Sequence, residues 1–214
     1  MKDIMDELTA VHREVGAGKV PAGEGRTVLL RRTYLAEVDD VWDALTNPER
    51  IPRWFLPISG DLALGGRYQL EGNAGGEILR CDAPHLIKVT WVFGDGPADA
   101  SEVEVRLAPG EAGQTVLELE HTAVVDPGMW DQFGPGAVGV GWDLTVLGLS
   151  LYLDSAAGVS IEDKEAWAVS DEAKRFMTAS AQAWGGAHEA SGASSETAAA
   201  GVVATIGFYV PPVE

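Results

Sequence analysis

The side chain with the widest chemical scope in this sequence is His121, in the segment TVLELEHTA. Leu117, Leu119 and His121 occupy alternate positions with polar residues between them, so a β-strand places the imidazole on the same face as the two leucines. An imidazole on an inner face can hydrogen-bond a ligand, titrate near neutral pH, or be satisfied by a core neighbour. The pattern therefore makes His121 a candidate for ligand contact and, less directly, for proton transfer.

Proton transfer by His121 would need a partner side chain within hydrogen-bonding reach. Asp131 and Tyr152 are the residues that a cyclase-like or dehydratase-like reaction could use, although Asp131 can equally cap a helix or face water. The sequence contains no G-x-S-x-G, G-x-x-x-x-G-K-[ST] or H-E-x-x-H motif, and its 4 histidines are widely separated. We therefore predict no catalytic residue, no metal site and no cofactor.

Aromatic side chains offer a second kind of chemistry, the binding of an apolar molecule. Their large apolar surfaces and few polar tips are typical of ligand pockets. Each of them can instead belong to the ordinary core, and for Trp91 that interpretation has at least equal weight. The candidate ligand-binding residues are Trp54, Phe55, Tyr68, Trp91, His121, Trp130, Trp142 and Tyr152.

The elements that would position these residues follow a definite order. An alternating strand over 27–36 leads into VDDVWDALTNPERIPRWF, which predicts two short helices separated at Asn47-Pro48. Alternating strands and glycine-rich turns follow up to about residue 124. The apolar segment GAVGVGWDLTVLGLSLYL then predicts a long buried helix with Trp142 on its inner side. The prediction is an α+β helix-grip fold, in which a curved antiparallel sheet wraps around this helix.

The segments on either side of this unit are predicted to be helical extensions. Apolar residues from Ile4 to Val15 recur every three or four positions, which predicts a helix over 3–15, and a glycine-rich linker follows. Residues 171–190 also have a helical pattern, and the tail is expected to pack on the main domain. The predicted units are an N-terminal helix and linker over 1–25, a helix-grip domain over 26–156 and a C-terminal helical extension over 157–214.

Composition and charge narrow the range of partners. The chain carries a formal net charge of -18 and no cluster of Lys and Arg, so phosphate backbones and anionic lipids would be repelled. We expect no nucleic acid partner. Cys81 is the only cysteine, which excludes an intrachain disulfide. No signal-peptide pattern opens the sequence, and the apolar helix contains Asp143, so we expect a cytoplasmic protein without membrane insertion.

Five segments in this order resemble the START-like helix-grip superfamily, also called SRPBCC or the polyketide cyclase and lipid-transport group. Within it, the chain is most similar to bacterial homologues of the C-terminal domain of the activator of the heat-shock-protein-90 ATPase. The similarity covers roughly residues 27–155 and rests on VWDALTNPERIPRWF, GDLALGGRYQLEG, GEILRCDAPHLIKVTW, TVLELEHTA and GWDLTVLGLSLYL. It implies a deep pocket between the sheet and the C-terminal helix, but it transfers no catalytic residue, because the family lacks a uniform catalytic signature.

Three functional hypotheses follow. The first is non-catalytic binding of a small hydrophobic or amphipathic molecule in that pocket. The second is a cyclase-like or dehydratase-like enzyme that uses His121. The third is protein interaction, either a chaperone contact or a homodimer formed through the leader and tail helices. The eukaryotic activator contacts the chaperone through an additional N-terminal domain, and nothing in this sequence is long enough to be that domain.

Overall fold

An eight-stranded antiparallel sheet and one long helix form the framework of the protein. The computed structural model describes residues 3–94, 96–97, 99–155 and 161–211. The strands are β1 (His12–Val20), β2 (Gly23–Tyr34), β3 (Ile58–Gly60), β4 (Arg67–Leu70), β5 (Gly75–Asp82), β6 (Leu86–Thr90), β7 (Ser101–Pro109) and β8 (Thr115–Ala123), in the spatial order β1-β2-β8-β7-β6-β5-β4-β3. The helices are α1 (Ile4–Thr9), α2 (Val38–Thr46), α3 (Ile51–Trp54), α4 (Pro127–Phe133), α5 (Gly136–Ser155), α6 (Ile161–Ala168), α7 (Asp171–Ala190) and α8 (Ser195–Tyr209).

Helix α5 lies against the inner face of the sheet. Val28, Leu30 and Tyr34 of β2 are no more than 3% exposed, and they belong to the same core cluster as Val146 and Leu149 of α5. Residues two apart along a strand share a face, so one alternating strand supplies a continuous apolar surface for the helix. The predicted α+β helix-grip class, with two short helices after the strand that enters the grip, is confirmed.

By length and composition, α5 is the single helix in the described part of the chain that could cross a membrane. Its position gives the reason for its apolar composition. Trp142, Val146 and Leu149 are buried inside the domain, where the curved sheet surrounds them. The prediction that this apolar segment is a buried helix is confirmed.

The N-terminal extension differs from the prediction of a helix and linker over 1–25. Helix α1 ends at Thr9, and the chain from His12 onward pairs with β2 as a strand. Glycine disfavours a helix, whereas Gly18 suits this sheet because a Cβ atom there would lie 2.5 Å from Thr27 Oγ1. The prediction is therefore wrong from His12 onward, and the sheet includes both strands of the N-terminal hairpin.

The C-terminal segment completes the core of the domain. Helix α7 packs on α5 and β1, and its Trp184 is fully buried in the main core cluster. Gly139 of α5 permits this contact, since a Cβ atom there would lie 2.3 Å from the Trp184 ring. Helix α7 therefore packs on the domain. The predicted boundary near residue 156 lies outside the described residues.

A buried carboxylate joins three of these elements. Asp143 of α5 accepts hydrogen bonds from Arg13 of β1, with Arg13 Nε 3.0 Å from Oδ2 and Nη2 3.0 Å from Oδ1. Ser180 and Trp184 of α7 donate to the same carboxylate, Trp184 through Nε1 at 3.1 Å. Burial raises the pKa of Asp143, and the hydrogen bonds and charge of Arg13 oppose that rise. The arrangement compensates a charged group that would otherwise be costly to bury.

Replacing Arg13 with methionine should destabilise the protein strongly. The variant leaves the Asp143 carboxylate buried without its cation, which typically costs about 3–5 kcal/mol in unfolding free energy. Urea unfolding followed by circular dichroism measures the loss.

The matched control is Arg31→Met on the neighbouring strand. Arg31 pairs with Glu118 at an exposed position, so its loss should cost no more than about 1 kcal/mol. The double variant Arg13→Met/Asp143→Leu should recover part of the stability, because it removes the uncompensated charge as well. Equal losses in Arg13→Met and Arg31→Met would contradict the role assigned to Asp143.

Candidate ligand-binding site

Three of the predicted residues form one contact group between the sheet and α5. Trp91, which follows β6, lies with its ring centroid 4.9 Å from that of Trp142 on α5. Trp142 in turn meets His121 of β8 edge to face, with centroids 5.7 Å apart, and donates a hydrogen bond from Nε1 to His121 Nδ1 at 3.1 Å. His121 points to the inner face of β8, and α5 packs against that face. Two tryptophans and a histidine are therefore brought together.

The contact with Trp142 determines the protonation state of His121. An indole N–H can only donate, so Nδ1 of His121 must accept and carries no proton. In the neutral imidazole the proton then lies on Nε2, which is 2.8 Å from Ser101 Oγ and donates to it. Burial lowers the pKa of His121 to about 4, so the ring is neutral at physiological pH.

Tyr68 extends the aromatic surface of this group. Its ring centroid lies 6.4 Å from that of Trp91, and its hydroxyl donates to the Thr90 carbonyl oxygen at 2.8 Å. Burial raises the pKa of the Tyr68 hydroxyl. Because the hydroxyl donates to the backbone, Tyr68 contributes chiefly its ring.

Two apolar clusters meet beside this group. The main core lies under α5, and a smaller cluster contains Ile51, Tyr68, Leu70 and Ile78. Phe55, Val89 and Trp91 pack against both clusters, and each of the three is only partly buried. We call these three residues the apolar junction. The side chains of the junction are only partly buried, whereas the inner face of β2 is buried under α5.

Trp54 supports the junction from α3. Its ring stacks on Phe55 with centroids 5.5 Å apart, and its Nε1 donates to the Ala44 carbonyl oxygen at 3.0 Å. The indole is itself buried. Trp54 therefore fixes the position of Phe55 and exposes little surface of its own.

The remaining two candidates lie apart from the aromatic group. Tyr152, almost three turns along α5 from Trp142, accepts a hydrogen bond from Arg50 Nε at 2.9 Å. Trp130 lies on α4, where Arg26 is 5.0 Å from its ring centroid and the His188 ring packs against it edge to face. The structure therefore gives these two side chains other neighbours.

The proposed catalytic partners of His121 do not meet it. Asp131 is exposed on α4, and Tyr152 hydrogen-bonds Arg50 at the other end of α5. Both ring nitrogens of His121 already have partners, Trp142 and Ser101. The geometry favours a binding role for His121 over proton transfer.

Side chains of the sheet and of α5 pack into one buried cluster between them. The surface concavities of the described residues include one of about 730 Å³ between α1 and α7 and one of about 250 Å³ lined by residues that include Arg67, Glu77 and Glu102. Neither is lined by a residue of the apolar junction. A ligand at the junction would contact partly exposed Trp91 and would have to displace its ring to reach Trp142.

Sequence reasoning missed Ser101 and Val89 as site residues. The signal for Ser101 was present: Ser101, Val103 and Val105 alternate along β7, so the serine shares the inner face. Val89 alternates with Ile87 and Trp91 along the chain, which places the three residues on one face. The partial burial of Val89 between two clusters is a tertiary feature, which local periodicity does not encode.

An antiparallel sheet that encloses one long helix, with two short helices after its entering strand, defines a START-like helix-grip domain. A sequence profile described as Activator of Hsp90 ATPase homolog 1-like protein matches residues 35–154, more than half of the chain. The chain belongs to this family. A search of the curated proteins finds no match.

Solved structures support the same assignment. The crystal structure of CalU16 from Micromonospora echinospora is 37% identical to this chain, covers 84% of it and 99% of its own length, and superposes with a TM-score of 0.67. DynU16, described as a putative protein in the dynemicin biosynthetic locus, is 26% identical over 62% of this chain and 48% of its own, with a TM-score of 0.53. PFC0360w, an HSP90 activator from Plasmodium falciparum, is 22% identical over 60% of this chain and 96% of its own, with a TM-score of 0.53, and shares the fold.

The buried neutral His121 should make stability depend on pH. The pKa of His121 is about 4 in the folded protein against an ordinary value of 6.5, so between these values the unfolded chain binds a proton that the folded protein does not. The contribution is complete above pH 6.5 and is lost as the pH falls to 4, by about 3 kcal/mol in total.

His121→Gln provides the matched comparison, since a neutral amide can accept from Trp142 and donate to Ser101 without titrating. Urea unfolding of both proteins at several pH values from 7.5 to 4 isolates the histidine from the other ionisable groups. The stability advantage of the wild type should shrink as the pH falls. Parallel stability curves for the two proteins would rule out a buried, titrating His121.

Proposed function

We propose that the protein binds a small hydrophobic or amphipathic molecule at the apolar junction and catalyses no reaction on it. The observation that carries this proposal is the partial exposure of Phe55, Val89 and Trp91, where two apolar clusters meet. A flat apolar ligand that inserts between the clusters would cover all three side chains. The ligand would also reach Trp142 and His121 once Trp91 moved.

The polar groups around the junction suit binding better than catalysis. Trp54, Tyr68 and Trp142 each donate their single polar hydrogen to a protein acceptor, so they present rings to the junction. His121 has both nitrogens engaged and a low pKa, which makes it a poor base near neutrality. Binding through apolar contact with one or two polar groups is the pattern typical of small-molecule sites.

Charge and family membership narrow the class of ligand. The net charge of -18 repels anions at long range, so a neutral or cationic molecule is favoured. The similarity to DynU16, a putative protein in a biosynthetic locus, supports a product or intermediate of small-molecule biosynthesis as the ligand. The fold shared with an HSP90 activator supports no more than common architecture, so a chaperone contact stays a hypothesis from sequence, as does a homodimer.

Filling the junction with a larger side chain should block binding. The neutral fluorescent probe N-phenyl-1-naphthylamine is suitable, because the acidic protein does not repel it. Val89→Trp should weaken its binding at least about tenfold, since the indole would occupy the space that the probe needs. A fluorescence titration, with circular dichroism to verify folding, makes the comparison.

Val203→Trp, on the exposed face of α8, is the matched control. This variant should bind the probe as the wild type does. The proposal fails if the wild type does not bind the probe, or if the two tryptophan variants bind it equally well. Native mass spectrometry of the freshly purified protein provides a second test, because a molecule retained at the junction should be lost in Val89→Trp.

A further inference from the structure

Ser101 lies beside the apolar junction, between Trp91 and His121. It begins β7 on the inner face of the sheet and is partly exposed. The backbone N–H of Trp91 donates to the Ser101 carbonyl oxygen at 2.9 Å, which holds the serine next to the residue that borders the junction. His121 flanks it on the other side.

The hydrogen-bond chain that ends at Ser101 leaves one donor unused. Trp142 Nε1–H donates to His121 Nδ1, so His121 Nε2–H donates to Ser101 Oγ. The serine oxygen is thereby an acceptor, and its own hydrogen must point elsewhere. Within the described residues, the Ser101 hydroxyl has no acceptor for that hydrogen.

We propose that the Ser101 hydroxyl is the specificity-determining group of the site and donates a hydrogen bond to a carbonyl oxygen of the ligand. His121 is a positioning residue for this hydrogen bond, because its donation to Ser101 Oγ keeps the serine hydrogen directed away from the imidazole. The ligand class is then a neutral, flat, apolar molecule that carries a ketone, quinone or ester oxygen. This inference rests on the proposed binding at the apolar junction.

A matched pair of probes isolates the hydrogen bond. 2-Acetylnaphthalene and 2-ethylnaphthalene have nearly the same size and differ in one carbonyl oxygen. The wild type should bind the ketone roughly 3- to 10-fold more tightly, as one net hydrogen bond predicts. Quenching of tryptophan fluorescence measures both affinities.

Three serine variants test whether the preference for the ketone comes from the Ser101 hydroxyl. Ser101→Ala should bind both probes with the affinity that the wild type has for 2-ethylnaphthalene, whereas Ser101→Thr should keep the preference because it keeps the hydroxyl. Ser59→Ala, at an exposed position on β3, should behave as the wild type. Nitrogen-15 NMR of the imidazole should show His121 protonated at Nε2 only.

The outcomes separate the two proposals. If both probes bind the wild type equally, or if Ser101→Ala keeps the preference for the ketone, the role of Ser101 is wrong while binding at the junction stands. A His121 ring protonated at Nδ1 would also overturn the inference. If neither probe binds, both the junction and the role of Ser101 are refuted.

Discussion

The carboxylate of Asp143 is the group on which the rest of the structure depends. A buried charge is tolerated only when it has partners, so Arg13, Ser180 and Trp184 must all be in place once α5 enters the grip of the sheet. These partners come from β1, 130 residues before Asp143, and from α7, 37 and 41 residues after it. The N-terminal hairpin and the C-terminal helix are therefore part of the folding unit.

The same turn of α5 sets the geometry of the candidate site. Trp142 precedes Asp143, and successive side chains on a helix point about 100° apart, so one faces the sheet interior while the other faces β1 and α7. The hydrogen bond from Trp142 to His121 requires a particular depth and rotation of the helix. Asp143 helps to hold α5 in this position through contacts on the other side of the helix.

Periodicity in the sequence predicts which face of a helix or strand a residue lies on. It does not predict contacts between separate elements. Alternation placed His121 on the inner face correctly, because only strand geometry is needed. The hydrogen bond between His121 and Trp142 joins β8 to α5, so no local sequence pattern predicts it. The N-terminal error has a related cause: Val11 and Val15 are four residues apart, a spacing that puts them on one face of a helix and of a strand alike. No local pattern marks Arg13 as a buried residue, because its partner Asp143 is 130 residues away in the sequence.

Two polar anchors of α5 lie toward β1 and β2, which bears on where a ligand could enter. Asp143 is held from β1 and α7, and Ser150 is hydrogen-bonded to Arg32 of β2. The apolar junction lies toward β6, where Val89 and Trp91 are held by apolar contacts that a ligand can replace. Displacing Trp91 there exchanges one apolar surface for another, whereas opening the opposite side would expose a buried ion pair. Displacing Trp91 should therefore cost less free energy than separating α5 from β1 and β2. The proposed binding then does not require α5 to move.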